Sequence, residues 1–190
     1  MMRAENWHDL FFEVINSNDC DANTATETTE FMQKVFGRMA KKAGTKLACR
    51  NQKRDDTSAE YLSIDATFLD YWDEQIEKEW PIYKPLAVVE HENENNMSKI
   101  LWCLWKLLNV KAGVKILIIY RKNRSDAEQV VSRIENYICR GAMQPDLNEE
   151  LLVIIGQEDL ACDGISWEKY FLVFEWQGAG FKDYTQRTWA

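Results

Sequence analysis

Apolar residues recur three and four positions apart in four stretches of the chain, the spacing of amphipathic helices. The second stretch is followed by Gly44, a residue type that commonly ends helices. Asn95 or Asn96 can cap the third, and Ser125 with Glu128 has the spacing of a capping box at the start of the fourth. The predicted helices are about residues 4–16, 26–43, 97–108 and 125–140.

Six other stretches have the alternating or continuous apolar pattern of β-strands. Residues 114–120 are apolar except for Lys115, which is typical of a strand covered on both faces. The elements follow one another in the order α-α-β-β-β-α-β-α-β-β. This order predicts an α/β fold, a mixed β-sheet flanked by helices on both faces, in a single domain over residues 1–190. The predicted strands are about residues 46–52, 60–69, 86–93, 114–120, 151–155 and 170–176.

The composition is that of one soluble globular domain. A chain of 190 residues with 46% hydrophobic residues buries about 70% of its unfolded surface, so its core needs no disulfide or metal. No apolar run approaches the roughly 18 residues that span a bilayer, and the N-terminal stretch mixes charged with apolar side chains, unlike a signal peptide. We therefore expect a cytoplasmic protein without a membrane partner. The five cysteines are scattered, which favours free thiols over a zinc cluster.

Charge is strongly segregated along the chain, although the net charge is −8. Residues 34–54 contain eight basic residues and no acidic one, and residues 96–125 contain seven basic residues and no acidic one. Between them, residues 55–95 contain twelve acidic residues and two lysines. The blocks are compatible with solvated helix faces and strand ends. They are equally compatible with two basic walls around an acidic centre, as in an enzyme that holds a polyanion by its phosphates.

Three carboxylates are candidates for a common site in the predicted sheet. Asp65 stands in the apolar strand 60–69, and Glu90 and Glu92 share one face of the next strand, with His91 on the other face. If the two strands pair like a hairpin, the three acids come within reach of one another and repel unless a cation or protons intervene. Such an oxygen cluster suits Mg²⁺ or Mn²⁺. The alternative is that these acids lie on the solvent face of a half-exposed sheet.

The Asp, the later Glu-x-Glu after an apolar run, and the following helix and buried strand resemble the PD-(D/E)XK nuclease superfamily, which has the restriction-endonuclease-like fold. The resemblance covers about residues 26–120 and leaves 121–190 as a C-terminal α-β-β extension. It implies that Asp65, Glu90 and the backbone carbonyl of His91 bind the metal. Glu92 takes the position that a lysine usually fills, where it binds a second cation or orients the attacking water.

The chain departs from the family pattern at two positions. Ile64 precedes Asp65 where the motif name has proline, and Glu92 replaces the usual lysine. In part of the family an acid on the preceding helix joins the site, and Glu27 or Glu30 is available for that position.

The resemblance implies a metal-dependent phosphodiesterase with Mg²⁺ or Mn²⁺ as cofactor, and we expect an endonuclease that acts on DNA. Lys99, Trp102 and Lys106 share a helix face, which suits nucleic-acid contact or lysine stems packed over a ring. Alternatives are a non-catalytic nucleic-acid-binding or regulatory module on the same fold, and a nuclease subunit that needs a partner or a second copy. The residues expected to neutralise phosphates are Lys41, Lys42, Lys99, Lys106, Arg121 and Arg124.

Overall fold

The computed structural model describes residues 2–17, 25–49, 64–70, 85–141, 143–146, 148–161 and 166–185. Its helices are α1 (Ala4–Asn16), α2 (Ala25–Ala43), α3 (Met97–Asn109), α4 (Arg124–Gly141) and α5 (Trp167–Tyr170), with a short 3₁₀ turn at Glu158–Leu160. Its strands are β1 (Lys46–Cys49), β2 (Ala66–Leu69), β3 (Pro85–Glu92), β4 (Val114–Arg121), β5 (Glu150–Gln157), β6 (Phe171–Trp176) and β7 (Phe181–Asp183).

The predicted order of helices and strands is confirmed, and the α/β class with it. Residues 50–52 and 60–63 of the first two predicted strands lie outside the described part of the chain. The 3₁₀ turn, α5 and β7 were not predicted, because elements of three or four residues are too short to show a hydrophobic period. Within the described part, no helix has the length and apolarity needed to cross a bilayer.

The seven strands form one mixed sheet in which sequence order and spatial order coincide. β1, β2 and β3 are antiparallel neighbours, although 16 residues separate β1 from β2 and 15 separate β2 from β3. β3, β4 and β5 are parallel, because α3 and α4 provide the crossovers between them. β6 and β7 complete the sheet in antiparallel orientation.

A hydrophobic layer covers each face of the sheet. On one face the buried side chains of α1 and α2 pack against Ala87 and Val89 of β3 and against the matching positions of the other strands. On the other face α3 and α4 pack against Val88. Successive residues of a strand point to opposite faces, so every side chain of β3 is assigned to one layer or the other. Glu90 and Glu92 therefore point to the α3 side and His91 to the α1 and α2 side.

The helix boundaries have identifiable chemical causes. α2 ends where Gly44 adopts φ +65°, the left-handed conformation that the prediction required. α3 begins after Asn96, whose side chain accepts a hydrogen bond from the N–H of Ser98 at 2.9 Å. The predicted capping box of α4 was wrong. The helix begins one residue earlier, because the Asn123 side chain caps the N–H of Asp126 at 3.0 Å.

Gly156 of β5 is a position where a side chain has no room. A Cβ there would lie 2.6 Å from a ring carbon of Tyr120 and 2.8 Å from one of Tyr170. We expect Gly156→Ala to lower the free energy of unfolding by about 2 kcal/mol, because a ring must leave its place. In Gly37→Ala, the matched control inside α2, the new methyl meets nothing within 4 Å. That variant should gain about 0.5 kcal/mol. Urea denaturation of both variants checks the pair, and equal stabilities would contradict the packing described here.

Candidate metal centre

The pairing of β2 with β3 brings Asp65 beside Glu90. Ala66 is opposite Val89 in the antiparallel register, so the residue before β2 lies next to the residue after Val89. Oδ2 of Asp65 accepts a hydrogen bond from the backbone N–H of His91 at 2.9 Å. The condition on which the common site was predicted, the pairing of these two strands, is therefore met for Asp65 and Glu90. The expectation that Asp65 lies inside its strand was wrong, since it occupies a bend immediately before β2.

Glu90 is a buried carboxylate, with a side chain only 1% exposed. Within the described part of the chain, its Oε1 has no hydrogen-bond partner. The pKa of Glu90 is raised to about 7, first by burial and then by the negative charge of Asp65. Asp65 and Glu90 thus form a pair of acids that favours the uptake of positive charge.

Lys106 supplies one such charge from α3. Its Nζ lies 2.6 Å from Oε2 of Glu90, and its side chain is 14% exposed. This ion pair lowers the pKa of Glu90 and so opposes the effects of burial and of Asp65. The sequence had placed Lys106 among the residues that contact phosphates, whereas the structure directs it to the carboxylates.

Glu92 points toward the start of α3. Its Oε1 accepts a hydrogen bond from the N–H of Glu94 at 2.7 Å, and its Oε2 is 4.0 Å from the sulfur of Cys103. Glu27 and Glu30 are both exposed on α2. Among the described residues, no three His, Cys, Asp or Glu side chains are grouped so that they could hold a metal ion.

A pair of carboxylates still matches the coordination habits of Mg²⁺. This ion is usually held by one or two carboxylates and keeps water and substrate phosphate in the rest of its shell. The free Oε1 of Glu90 and the charge of Asp65 are therefore compatible with it. The N–H and C=O of a strand residue point to the same edge of the strand, so the carbonyl of His91 is directed to the edge of β3 at which its N–H contacts Asp65.

The His91 ring lies on the face of the sheet opposite to Glu90 and Glu92, as predicted. A ring nitrogen is 2.8 Å from the hydroxyl of Tyr120. Burial lowers the pKa of His91 to about 4, so the ring is neutral at physiological pH. The ring is part of the packing under the site and does not face the carboxylates.

The other predicted phosphate contacts are distributed over both faces of the sheet. On α2, Lys41 is exposed and Lys42 pairs with Glu13. On the α3 and α4 side, Lys99 pairs with Glu94.

Two arginines near the end of β4 have partners in the fold. Arg124 pairs with Glu128 at 2.9 Å and also with Asp183. Arg121 is buried and donates to the carbonyl of Tyr120, and burial lowers its pKa. In this conformation, Lys106 is the one of the six predicted residues that contacts the carboxylate pair.

The chain matches no protein-family model, no curated protein and no solved structure. The interpretation of the site therefore depends on its own geometry. That geometry contains an acidic pair from adjacent strands, a buried oxygen without a partner, and a lysine from the covering helix.

Proposed function

We propose that this chain is a metal-dependent phosphodiesterase, an endonuclease acting on DNA, built on a restriction-endonuclease-like fold. The observation that carries the proposal is the buried Glu90, with one unpartnered oxygen, beside Asp65. A buried acid beside a second, half-buried acid is costly, because the charge of Asp65 raises the pKa of Glu90 and Lys106 offsets only part of this effect. A divalent ion held by the two acids removes this cost. Because the ion also binds a phosphate, it allows the pair to serve in phosphodiester hydrolysis.

The topology around the pair supports the proposal. A helix, three antiparallel strands, a crossover helix and a parallel strand follow one another as α2, β1, β2, β3, α3 and β4. Asp65 lies immediately before β2 and beside Glu90, near the end of β3, and the resemblance to the PD-(D/E)XK superfamily implies that these two acids are metal ligands.

Each residue of the site has a role in this proposal. Asp65, Glu90 and the backbone carbonyl of His91 hold the ion, which when bound lowers the pKa of a water ligand and neutralises phosphate charge. In the family pattern a lysine stands at the position of Glu92, on the strand. Here Lys106 provides the ammonium group from the covering helix, α3. Glu92, at the edge of the same face, orients the attacking water or binds a second cation.

A second candidate is a non-catalytic nucleic-acid-binding or regulatory module. The ion pair between Lys106 and Glu90 favours it, because an ammonium group can neutralise the acidic pair permanently and make a metal unnecessary. Two measurements distinguish the candidates. A phosphodiesterase binds a divalent ion, and it cuts labelled single- or double-stranded DNA or RNA with Mg²⁺ or Mn²⁺ but not in EDTA. A non-catalytic module leaves all of these nucleic acids intact.

Metal binding should depend on pH with a defined sign. The raised pKa of Glu90, about 7, means that a proton competes with the metal below neutral pH. We expect the Mn²⁺ affinity to rise about fivefold from pH 6 to pH 7 and about tenfold from pH 6 to pH 8, and then to level off. Titration calorimetry at these pH values measures it. In Glu90→Gln, binding should be weak at every pH, and an affinity for the wild type that is independent of pH would contradict the role of Glu90.

A further inference from the structure

Two tryptophans on the outer face of α3 have no place in the core. Trp102 is 58% exposed and Trp105 37% exposed, and they are the exposed large apolar side chains of the described residues. Their rings are stacked, with centroids 4.9 Å apart and planes 12° from parallel. Large exposed apolar surface is unfavourable unless a ligand or partner covers it, so this pair marks a contact surface. We call Trp102 and Trp105 the tryptophan platform.

The tryptophan platform is next to the carboxylate pair. Cys103, which follows Trp102 in the chain, approaches Glu92, and Lys106, four residues after Trp102, contacts Glu90. One helical turn is about 5 Å along the axis, so a strand lying on the platform passes close to the proposed site.

The chemistry of α3 favours a nucleic-acid ligand. The helix carries Lys99 and Lys106 and no acidic residue, and the exposed Lys111 follows its end. Lys99 pairs with Glu94 on the surface, where such pairs are weak and open readily to another anion. Two parallel rings also present a flat outer face on which a base can continue the stack.

We infer that the tryptophan platform stacks unpaired bases and thereby makes single-stranded nucleic acid the substrate class of the proposed phosphodiesterase site. The inference rests on the proposed function in one respect, since a bound strand is a substrate only if the chain is a phosphodiesterase. The binding of the strand to the tryptophan platform does not depend on that activity. Bases inside a duplex are already stacked on one another and offer no free face to a ring. A duplex is therefore excluded by the same geometry that holds a single strand.

The test is the binding of a fluorescein-labelled single strand of about 15 nucleotides to the full chain in EDTA, where no cleavage occurs. Two double variants form a matched pair. Trp102→Leu with Trp105→Leu keeps the apolar surface and removes the rings, whereas Trp102→Phe with Trp105→Phe keeps rings of smaller area. We expect the leucine variant to lose about tenfold or more in affinity and the phenylalanine variant to lose about threefold.

The same strand in a duplex should bind at least about tenfold more weakly than the single strand. Salt should weaken binding of the single strand, because neutralisation of its phosphates adds to the stacking of its bases. Equal binding by wild type and the leucine variant would overturn the inference, as would equal binding of duplex and single strand. The inference would also be overturned if sedimentation showed an oligomer for the wild type and a monomer for the leucine variant. A second copy of the chain would then cover the tryptophan platform.

Failure of the inference and failure of the proposed function give different results. A protein that binds single strands through the tryptophan platform but never cuts them with Mg²⁺ or Mn²⁺ refutes the phosphodiesterase and leaves the platform intact. A protein that cuts but binds equally well without the rings refutes the platform alone.

Discussion

Asp65→Asn should reduce metal-dependent cleavage of nucleic acid by about 1,000-fold and leave the fold intact. The amide is nearly the same size as the carboxylate and still offers an oxygen to the N–H of His91, so the bend before β2 is kept. What is lost is one of the two negative charges that hold the divalent ion. The pKa of Glu90 should fall at the same time, because the charge of Asp65 is one of the causes that raise it.

Asp70→Asn is the matched control for this experiment. Asp70 directly follows the other end of β2, five residues and about 17 Å along the strand from Asp65, and it is exposed. The control makes the same chemical change outside the site and should cut at the wild-type rate. Equal activity of Asp65→Asn and wild type, with Mg²⁺ present, would remove Asp65 from the metal site.

Lys106→Met should lower the free energy of unfolding by about 3 kcal/mol at pH 8 and reduce cleavage by about 100-fold. Methionine fills most of the space but leaves the buried carboxylate of Glu90 without a positive partner. The loss should be smaller at pH 6. There Glu90 takes up a proton, because its folded pKa of about 7 lies above its ordinary value of 4.5.

The pH dependence of stability follows from that difference in pKa. Between about pH 4.5 and 7 the folded protein binds more protons at Glu90 than the unfolded chain does, so the stability from this group falls as the pH rises. Lys106→Met should extend this fall to higher pH. The double variant Glu90→Gln with Lys106→Met should recover most of the lost stability, since it removes both charges.

Lys111→Met controls for the loss of a lysine as such. Lys111 is exposed just beyond α3, and its replacement should change the free energy of unfolding by no more than about 0.5 kcal/mol. Urea denaturation at pH 6 and pH 8 compares the variants. If Lys106→Met and Lys111→Met were equally stable at pH 8, the buried ion pair would have no energetic role.

The directions of the acids on β3 were predictable because alternation along a strand is local, and it assigns Glu90 and Glu92 to one face. The place of Asp65 was predicted only on the condition that β2 pairs with β3. That pairing puts Asp65 beside Glu90, and the expected cluster of three carboxylates does not form among the described residues. The segregation of charge indicated the same region. The helices that bury wide apolar faces, such as α1 and α3, were predictable for a similar reason, since the period of their apolar residues is long enough to be recognised.

The partners of the site depend on tertiary geometry that no local pattern contains. Lys106 stands at the edge of the apolar stripe of α3, beside the inward-facing Leu107, and a lysine there can turn outward or inward. Its direction depends on how α3 is rotated above β3, because that rotation brings the ammonium group to the buried carboxylate of Glu90. The contact of His91 with Tyr120 likewise depends on the parallel register that pairs His91 with Ile118.

The short elements at the C-terminal end were unpredictable for another reason. β7 has three residues and α5 has four, and both depend on neighbours that are distant in sequence or on packing. The aromatic rings of Trp167 and Phe171 stack with their centroids 5.8 Å apart, a contact that joins α5 to the start of β6.

The most direct test of the central claim is to count the Mn²⁺ ions bound by the chain at pH 8, by electron paramagnetic resonance, in wild type, Asp65→Asn and Asp70→Asn. We expect at least one tightly bound Mn²⁺ per chain in the wild type and in Asp70→Asn, and none in Asp65→Asn. No bound Mn²⁺ in the wild type would contradict it and would leave Lys106 as the permanent counter-charge of a non-catalytic module.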